Sequence, residues 1–158
     1  MPEITLVEVP DQLVLGLRKR GHYPEIRTAI GTLFEYGMSH GAEFTGGPMA
    51  LMHELGQRAA VKAEQEGNAV IDVACPVARE IECGGDILCY LLPGGMMAKT
   101  VHKGPYEACQ PAYVALYEWI SVNGYMITDP TREVYLNDPS MVKPQELLTE
   151  IYAPVERY

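Results

Sequence analysis

The sequence predicts an α+β fold in which one β-α-β-β unit occurs twice within a single domain, residues 1–158. Three observations predict it: an internal repeat, an apolar stripe at helical spacing in the second half, and strand-like segments on both sides of each predicted helix. The two units are expected at about residues 1–83 and about residues 84–158. A chain of this length can bury one good-sized core.

The repeat appears when the chain is shifted against itself by 83 residues. Glycine, tyrosine and proline then stay in one register, which chance would not maintain over such a length. The matched pairs are Pro10 with Pro93, Gly21 with Gly104, Tyr23 with Tyr106, Ala29 with Ala112, Leu33 with Leu116, and Gly41 with Gly124. After a gap of five residues DVACPV aligns with EIYAPV, so that Asp72 corresponds to Glu150.

Each unit begins with a strand, and a glycine turn then leads into a helix. These four elements are expected at about residues 13–19, 23–40, 96–102 and 106–123. Gly41 and Gly124 follow the helices and are predicted to be C-terminal caps.

Two further strands complete each unit, and the last one of each ends near a proline that cannot donate to the sheet. They are expected at about residues 49–54, 70–77, 132–137 and 147–155. The stretch 55–68 is rich in Gln, Glu, Lys and Ala. We expect it to be a mobile loop with at most a short helix.

The last strand contains a carboxylate in an apolar setting. Because side chains alternate along a strand, Leu148, Glu150 and Tyr152 share one face. A carboxylate in such a strand is costly unless it is paired, hydrogen-bonded or facing a cavity. Two explanations therefore stay open for Glu150: a ligand-binding carboxylate, or a structural pair with Lys, Arg or Tyr.

Aromatic residues are concentrated in the second half, where they could line a pocket for flat or cationic ligands. Tyr135 alternates with Glu133 in the strand beside the last one and is expected to face the same cavity as Glu150. For Trp119, on the helix stripe, pocket lining and simple packing are equally open. The candidate ligand-binding residues are Glu150, Tyr152, Tyr135, Trp119, Tyr106 and Glu133.

Composition excludes several classes of function. A net charge of −9 argues against direct nucleic-acid binding, which requires Lys and Arg on the phosphates. No apolar run is long enough to cross a bilayer, and the N-terminus lacks a signal segment, so we expect a cytoplasmic protein with no membrane contact. No spacing of Cys or His is typical of a metal site, and no dinucleotide or Walker motif indicates a cofactor.

The segments RGHYPEI, KGPYEAC, LYEWISVNGY, REVYLNDP and LLTEIYAPV resemble the GyrI-like small-molecule-binding family, also called the AraC-type effector-binding domain. The resemblance covers nearly the whole chain. It implies tandem β-α-β-β (SHS2) modules related by a pseudo-twofold axis, with two long helices, antiparallel sheets and a ligand cleft between the modules.

The resemblance implies a free-standing domain that binds or sequesters amphipathic aromatic or cationic ligands, as in multidrug sensing by AraC- and MerR-type transcription regulators. In multidrug sensors of the family a buried glutamate on the last strand receives such cations, and the corresponding residue is Glu150. This sequence shows no DNA-binding segment, so we expect a regulator role to require another chain. Two alternatives stay open: a hydrolase of cyclopropanoid aromatic electrophiles with Glu150 as catalytic carboxylate, and a protein-binding module that contacts gyrase.

Overall fold

The computed structural model describes residues 2–158 and has the predicted α+β fold. The strands are β1 (Thr5–Val9), β2 (Gln12–Gly21), β3 (Met49–Met52), β4 (Ala69–Pro76), β5 (Ile87–Leu92), β6 (Gly95–Lys103), β7 (Tyr125–Ile127), β8 (Thr131–Tyr135) and β9 (Leu148–Arg157). The helices are α1 (Glu25–Ser39), α2 (Gln57–Gln65) and α3 (Gln110–Val122). Short 3-10 turns lie at Tyr106–Ala108 and Pro144–Glu146.

The chain divides into two compact units, which we call the first and second modules. The first module is Asp11–Pro93, and the second combines the residues up to Pro10 with Gly94–Tyr158. The sequence placed the division near residue 83. In the structure it falls later because β5 pairs with β2, and β1 belongs with the second module because it pairs with β6.

In the first module β2 lies between β4 and β5, and β3 pairs with the other edge of β4, all antiparallel. Helix α1 packs on one face of this sheet and buries Ala29 and Leu33 against Leu15, Ile71 and Val73. Helix α2 lies within the segment that the sequence predicted as a loop with at most a short helix.

In the second module β6 lies between β1 and β9, while β8 and β7 pair with successive parts of β9. Helix α3 packs on one face and buries Ala112, Leu116 and Ile120 against a sheet surface that includes Ala98 and Ile151. Among residues 2–158, the second module has no further α-helix to cover the opposite face of this sheet.

The repeat accounts for the core of both modules. Leu33 and Leu116, matched by the offset of 83, are both fully buried at 0% exposure. Gly41 and Gly124 follow their helices with φ values of 74° and 78°, the left-handed conformation that a C-terminal cap requires. These observations confirm the duplication of the β-α-β-β unit.

The second helix begins later than the sequence predicted. An α-helix running from Tyr106 would need an N–H at Pro111 to bond the carbonyl of Glu107, and proline has none. The chain therefore forms a 3-10 turn at Tyr106–Ala108, and α3 starts at Gln110 with Pro111 in its first turn.

We predict that Leu116→Ala lowers the free energy of unfolding by about 2–5 kcal/mol, because it leaves a cavity under α3. Val122→Ala, on the same helix at 77% exposure, is the matched control and should change it by less than about 0.5 kcal/mol. Urea unfolding followed by circular dichroism measures both. Equal losses in the two variants would contradict the assignment of Leu116 to the core.

Candidate ligand-binding site

Strand register decides which of the candidate side chains share a face. In the antiparallel pairing of β8 with β9, Glu133 lies opposite Ile151, Val134 opposite Glu150, and Tyr135 opposite Thr149. Directly opposed residues project to the same side of a sheet. Because Ile151 is buried under α3, Glu133 and Tyr135 project to the helix side and Glu150 projects to the helix-free side.

This register corrects one expectation. Tyr135 was expected to face the same cavity as Glu150, and that expectation is wrong. Tyr135 is opposite Thr149, the neighbour of Glu150 in the chain, and neighbouring side chains of a strand project to opposite faces. Alternation along one strand does not determine which residues lie opposite each other across β8 and β9.

Glu133 is surrounded by tyrosines. The hydroxyl of Tyr113, from α3, donates to its Oε2 atom, and the hydroxyl of Tyr135 donates to its Oε1 atom at 2.9 Å. The ring of Tyr106 meets that of Tyr135 edge-on at 5.3 Å, and the ring of Tyr117 lies 5.8 Å from that of Tyr113. We call these five residues the Glu133 cluster.

Helical spacing brings the tyrosines together. Tyr113 and Tyr117 are four residues apart on α3 and therefore lie on one side of the helix. The 3-10 turn before α3 places Tyr106 at the same end of the module. Tyr113 and Tyr117 were missed as site residues, although the spacing of Tyr106, Tyr113 and Tyr117 by seven and four residues is a signal that could have found them.

Burial and the negative charge of Glu133 raise the pKa of Tyr113 and of Tyr135 well above 10. The same two causes raise the pKa of Tyr117, and they raise that of the nearby Cys109 thiol to about 11. Both hydroxyls that face Glu133 therefore remain protonated donors at neutral pH.

The charge of Glu133 is not matched by a cation. Within residues 2–158 no Lys, Arg or His side chain lies within 4.0 Å of its carboxylate, whose partners are the two tyrosine hydroxyls. A partly exposed carboxylate among aromatic rings is the arrangement that attracts an organic cation.

Glu150, in contrast, is neutralised by its own module. Lys99 of β6 places its Nζ atom 2.8 Å from Oε2 of Glu150, and the hydroxyl of Tyr152 donates to Oε1 at 2.9 Å. Of the two explanations that the sequence left open, this geometry is that of the structural pair.

Asp72, the counterpart of Glu150 in the first module, is also paired. It is 3% exposed and accepts hydrogen bonds from Arg18 at 2.9 Å and from Nε2 of His53 at 2.7 Å. A buried carboxylate with two basic partners is a structural element, since its charge is already satisfied within the module.

Trp119 belongs to a different surface of α3. It is two residues beyond Tyr117, which places it about 200° around the helix axis. Its ring stacks on that of Tyr125 at 5.8 Å, and the guanidinium of Arg157 lies 5.3 Å from the centroid of the Tyr125 ring. The structure therefore does not bring Trp119 into the Glu133 cluster.

No grouping of three or more His, Cys, Asp or Glu residues within the range 2–158 is arranged to hold a metal ion. None of the helices in that part of the chain is long and apolar enough to span a membrane. A shallow depression of about 450 Å³ lies on α2, lined by Arg58, Val61, Lys62 and Gln65, but it contains neither an aromatic ring nor a carboxylate.

Residues 2–156 match the sequence profile described as the GyrI-like small molecule binding domain. The chain belongs to this family. The match covers nearly the whole chain and agrees with the duplicated modules seen in the structure. No curated protein sequence matches.

Among solved structures, the C-terminal domain of EcmrR is similar with a TM-score of 0.87 and 24% identity, covering 100% of this chain and 99% of that one. In the cryo-EM structure of an EcmrR–DNA complex, the matching region spans 58% of the EcmrR chain. A hydrolase from Listeria innocua has a TM-score of 0.70 at 14% identity, covering 98% and 92%. SAV2435 bound to tetraphenylphosphonium has a TM-score of 0.54 at 13% identity, covering 98% and 94%. At these identities the likeness establishes the fold.

The raised pKa of Tyr113 gives a pH-dependent stability. Above a pH of about 10 the unfolded chain loses the phenol proton that the native state keeps, so the free energy of unfolding falls as pH rises. We expect this fall to be smaller in Tyr113→Phe by up to about 1.4 kcal/mol per pH unit. Tyr158→Phe, at an exposed position, is the control. Urea unfolding at pH values between about 9 and 11 measures it, and equal slopes in all three proteins would contradict the assignment.

Proposed function

We propose that this chain binds amphipathic aromatic cations and that Glu133 is the carboxylate that receives them. The observation that carries the proposal is the unmatched charge of Glu133 among the rings of Tyr106, Tyr113, Tyr117 and Tyr135. A cation placed there gains both a Coulombic partner and ring faces, and each ring contributes up to about 2 kcal/mol when desolvated.

Membership of a small-molecule-binding family supports a ligand site, and the tetraphenylphosphonium bound to SAV2435 supports a lipophilic cation as its occupant. We place the charge-bearing role at Glu133 instead of at Glu150, because Lys99 already neutralises Glu150. The biological role that follows is sensing or sequestration of such compounds. The Glu133 cluster also favours a small-molecule ligand over a protein partner.

The test is a titration with tetraphenylphosphonium followed by isothermal calorimetry. We expect a dissociation constant in the micromolar range, about −8 kcal/mol of binding free energy, and a weakening of about tenfold or more in Glu133→Gln. Glu150→Gln is the matched control, since it removes the neighbouring carboxylate without touching the cluster, and it should leave the affinity within about twofold.

Equal binding by wild type and Glu133→Gln would contradict the proposal. A loss confined to Glu150→Gln would return the ligand-binding role to the helix-free face. Circular dichroism of both variants establishes that any loss of affinity does not come from unfolding.

A second candidate function is favoured by the hydrogen bond from Tyr113 to Glu133, which joins a carboxylate and a phenol at one site. Such a pair can serve hydrolysis of a cyclopropane-bearing aromatic electrophile. Water oxygen bonds to one ring carbon, and the strained carbon–carbon bond breaks with its electron pair going to the other carbon, which takes a proton from the Tyr113 hydroxyl. Glu133 accepts the proton that water loses and returns it to the Tyr113 oxygen.

If the chain is such a hydrolase, a cyclopropanoid alkylator incubated with it gives the ring-opened hydration product in many turnovers. Glu133→Gln then lowers the rate by about 100-fold or more, the usual range for a lost general base. Mass spectrometry of the product measures this. One equivalent of bound, unchanged compound per chain would exclude the hydrolase and support binding alone.

A further inference from the structure

The helix-free face of the second module holds a cation-binding arrangement that is already filled. The Nζ atom of Lys99 lies 2.8 Å from Oε2 of Glu150 and 5.4 Å from the centroid of the Tyr152 ring. The other carboxylate oxygen accepts the Tyr152 hydroxyl at 2.9 Å. A carboxylate together with an aromatic face within about 6 Å is what recognises an ammonium ligand, so Lys99 stands where such a ligand would.

This arrangement is partly open to solvent. The Lys99 and Glu150 side chains are 27% and 19% exposed, so a ligand does not need to disrupt the core to reach them. The hydrogen bond to Glu150 is the main cause that raises the pKa of Lys99. The ammonium therefore stays charged at neutral pH.

The first module also pairs its carboxylate with a cation, but the cation comes from a different strand position. The strand registers of the two modules allow a position-by-position comparison. Arg18 lies opposite Asp72, and Val101 takes the equivalent place opposite Glu150. Gly16 lies opposite Ala74, and Lys99 takes its place opposite Tyr152.

In the first module an added Cβ at the Gly16 position would lie 2.6 Å from the Tyr90 ring, so a side chain there would require that ring to shift. The cation is supplied there by Arg18, directly opposite the carboxylate. In the second module the cation is Lys99, two residues before the position equivalent to Arg18, and it lies beside the Tyr152 ring. The carboxylate is neutralised in both modules, and in the second its cation also lies 5.4 Å from the centroid of the Tyr152 ring.

We propose that Lys99 is a tethered cation that fills a second cation-binding site made by Glu150 and Tyr152. Lys99 is then a specificity-determining residue, because it excludes cationic ligands from the helix-free face and leaves them the Glu133 cluster. That last consequence rests on the proposed function, whereas the filled site at Glu150 does not.

The test removes the tethered cation and asks whether a free one replaces it. The probe is benzyltrimethylammonium, which carries a quaternary ammonium and one ring. All measurements are made in the Glu133→Gln background, so that the Glu133 cluster does not contribute. Lys99→Met should bind the probe about tenfold more tightly than the background protein. The gain is limited because the buried Arg132, opposite Tyr152 on the same face, remains.

Three controls accompany the measurement on Lys99→Met. Lys99→Arg keeps a cation and should show no gain, and Lys103→Met removes an exposed lysine of the same strand and face and should also show none. Adding Glu150→Gln to Lys99→Met should abolish the gain. Lys99→Gln, whose amide can still donate to Glu150, repeats the test in a variant that leaves no unpaired carboxylate.

Nuclear magnetic resonance titration of the probe measures all of these affinities. The proposal is overturned if neither Lys99→Met nor Lys99→Gln binds more tightly than the background protein, or if the gain persists without the Glu150 carboxylate. Failure of the proposed function would appear elsewhere, as equal binding of tetraphenylphosphonium by wild type and Glu133→Gln.

Discussion

The burial of Ile151 under α3 is the constraint on which the site depends. Side chains alternate along a strand, so fixing Ile151 on the helix side fixes the direction of every residue of β9, and through register that of β8. Glu133 then reaches Tyr113 on the helix, and Glu150 projects to the opposite face beside Lys99. A slip of one residue would exchange the two carboxylates, so core packing and ligand chemistry are set by the same contact.

The two modules keep one core and differ in their polar groups. Leu33 and Leu116 occupy matched buried positions, each in the core between a helix and its sheet. The polar positions follow a weaker requirement, which is that a carboxylate in a sheet must have an ionic or hydrogen-bonding partner. Asp72 and Glu150 meet it with cations from different strand positions.

The fold was predictable from the sequence because its signals are local. The repeat offset, the cap glycines and the helical stripe all follow from spacing along the chain, and the structure confirms them. The site was predictable only in part. Glu133 and Tyr135 were named, but their separation from Glu150 depends on which residues pair across β8 and β9. Lys99 was missed for the same reason. The pairing of β6 with β9 brings Glu150 beside it, and spacing along the chain does not reveal that pairing.

Which carboxylate receives a cationic ligand is measured most directly by the position of that ligand in the protein. Crystals of the wild-type protein with tetraphenylarsonium, a heavier analogue of tetraphenylphosphonium, would locate the arsenic by its anomalous scattering. We expect an arsenic peak beside Glu133, with tyrosine rings of the Glu133 cluster within about 6 Å of the ligand. An arsenic peak beside Glu150, with Lys99 displaced, would contradict it.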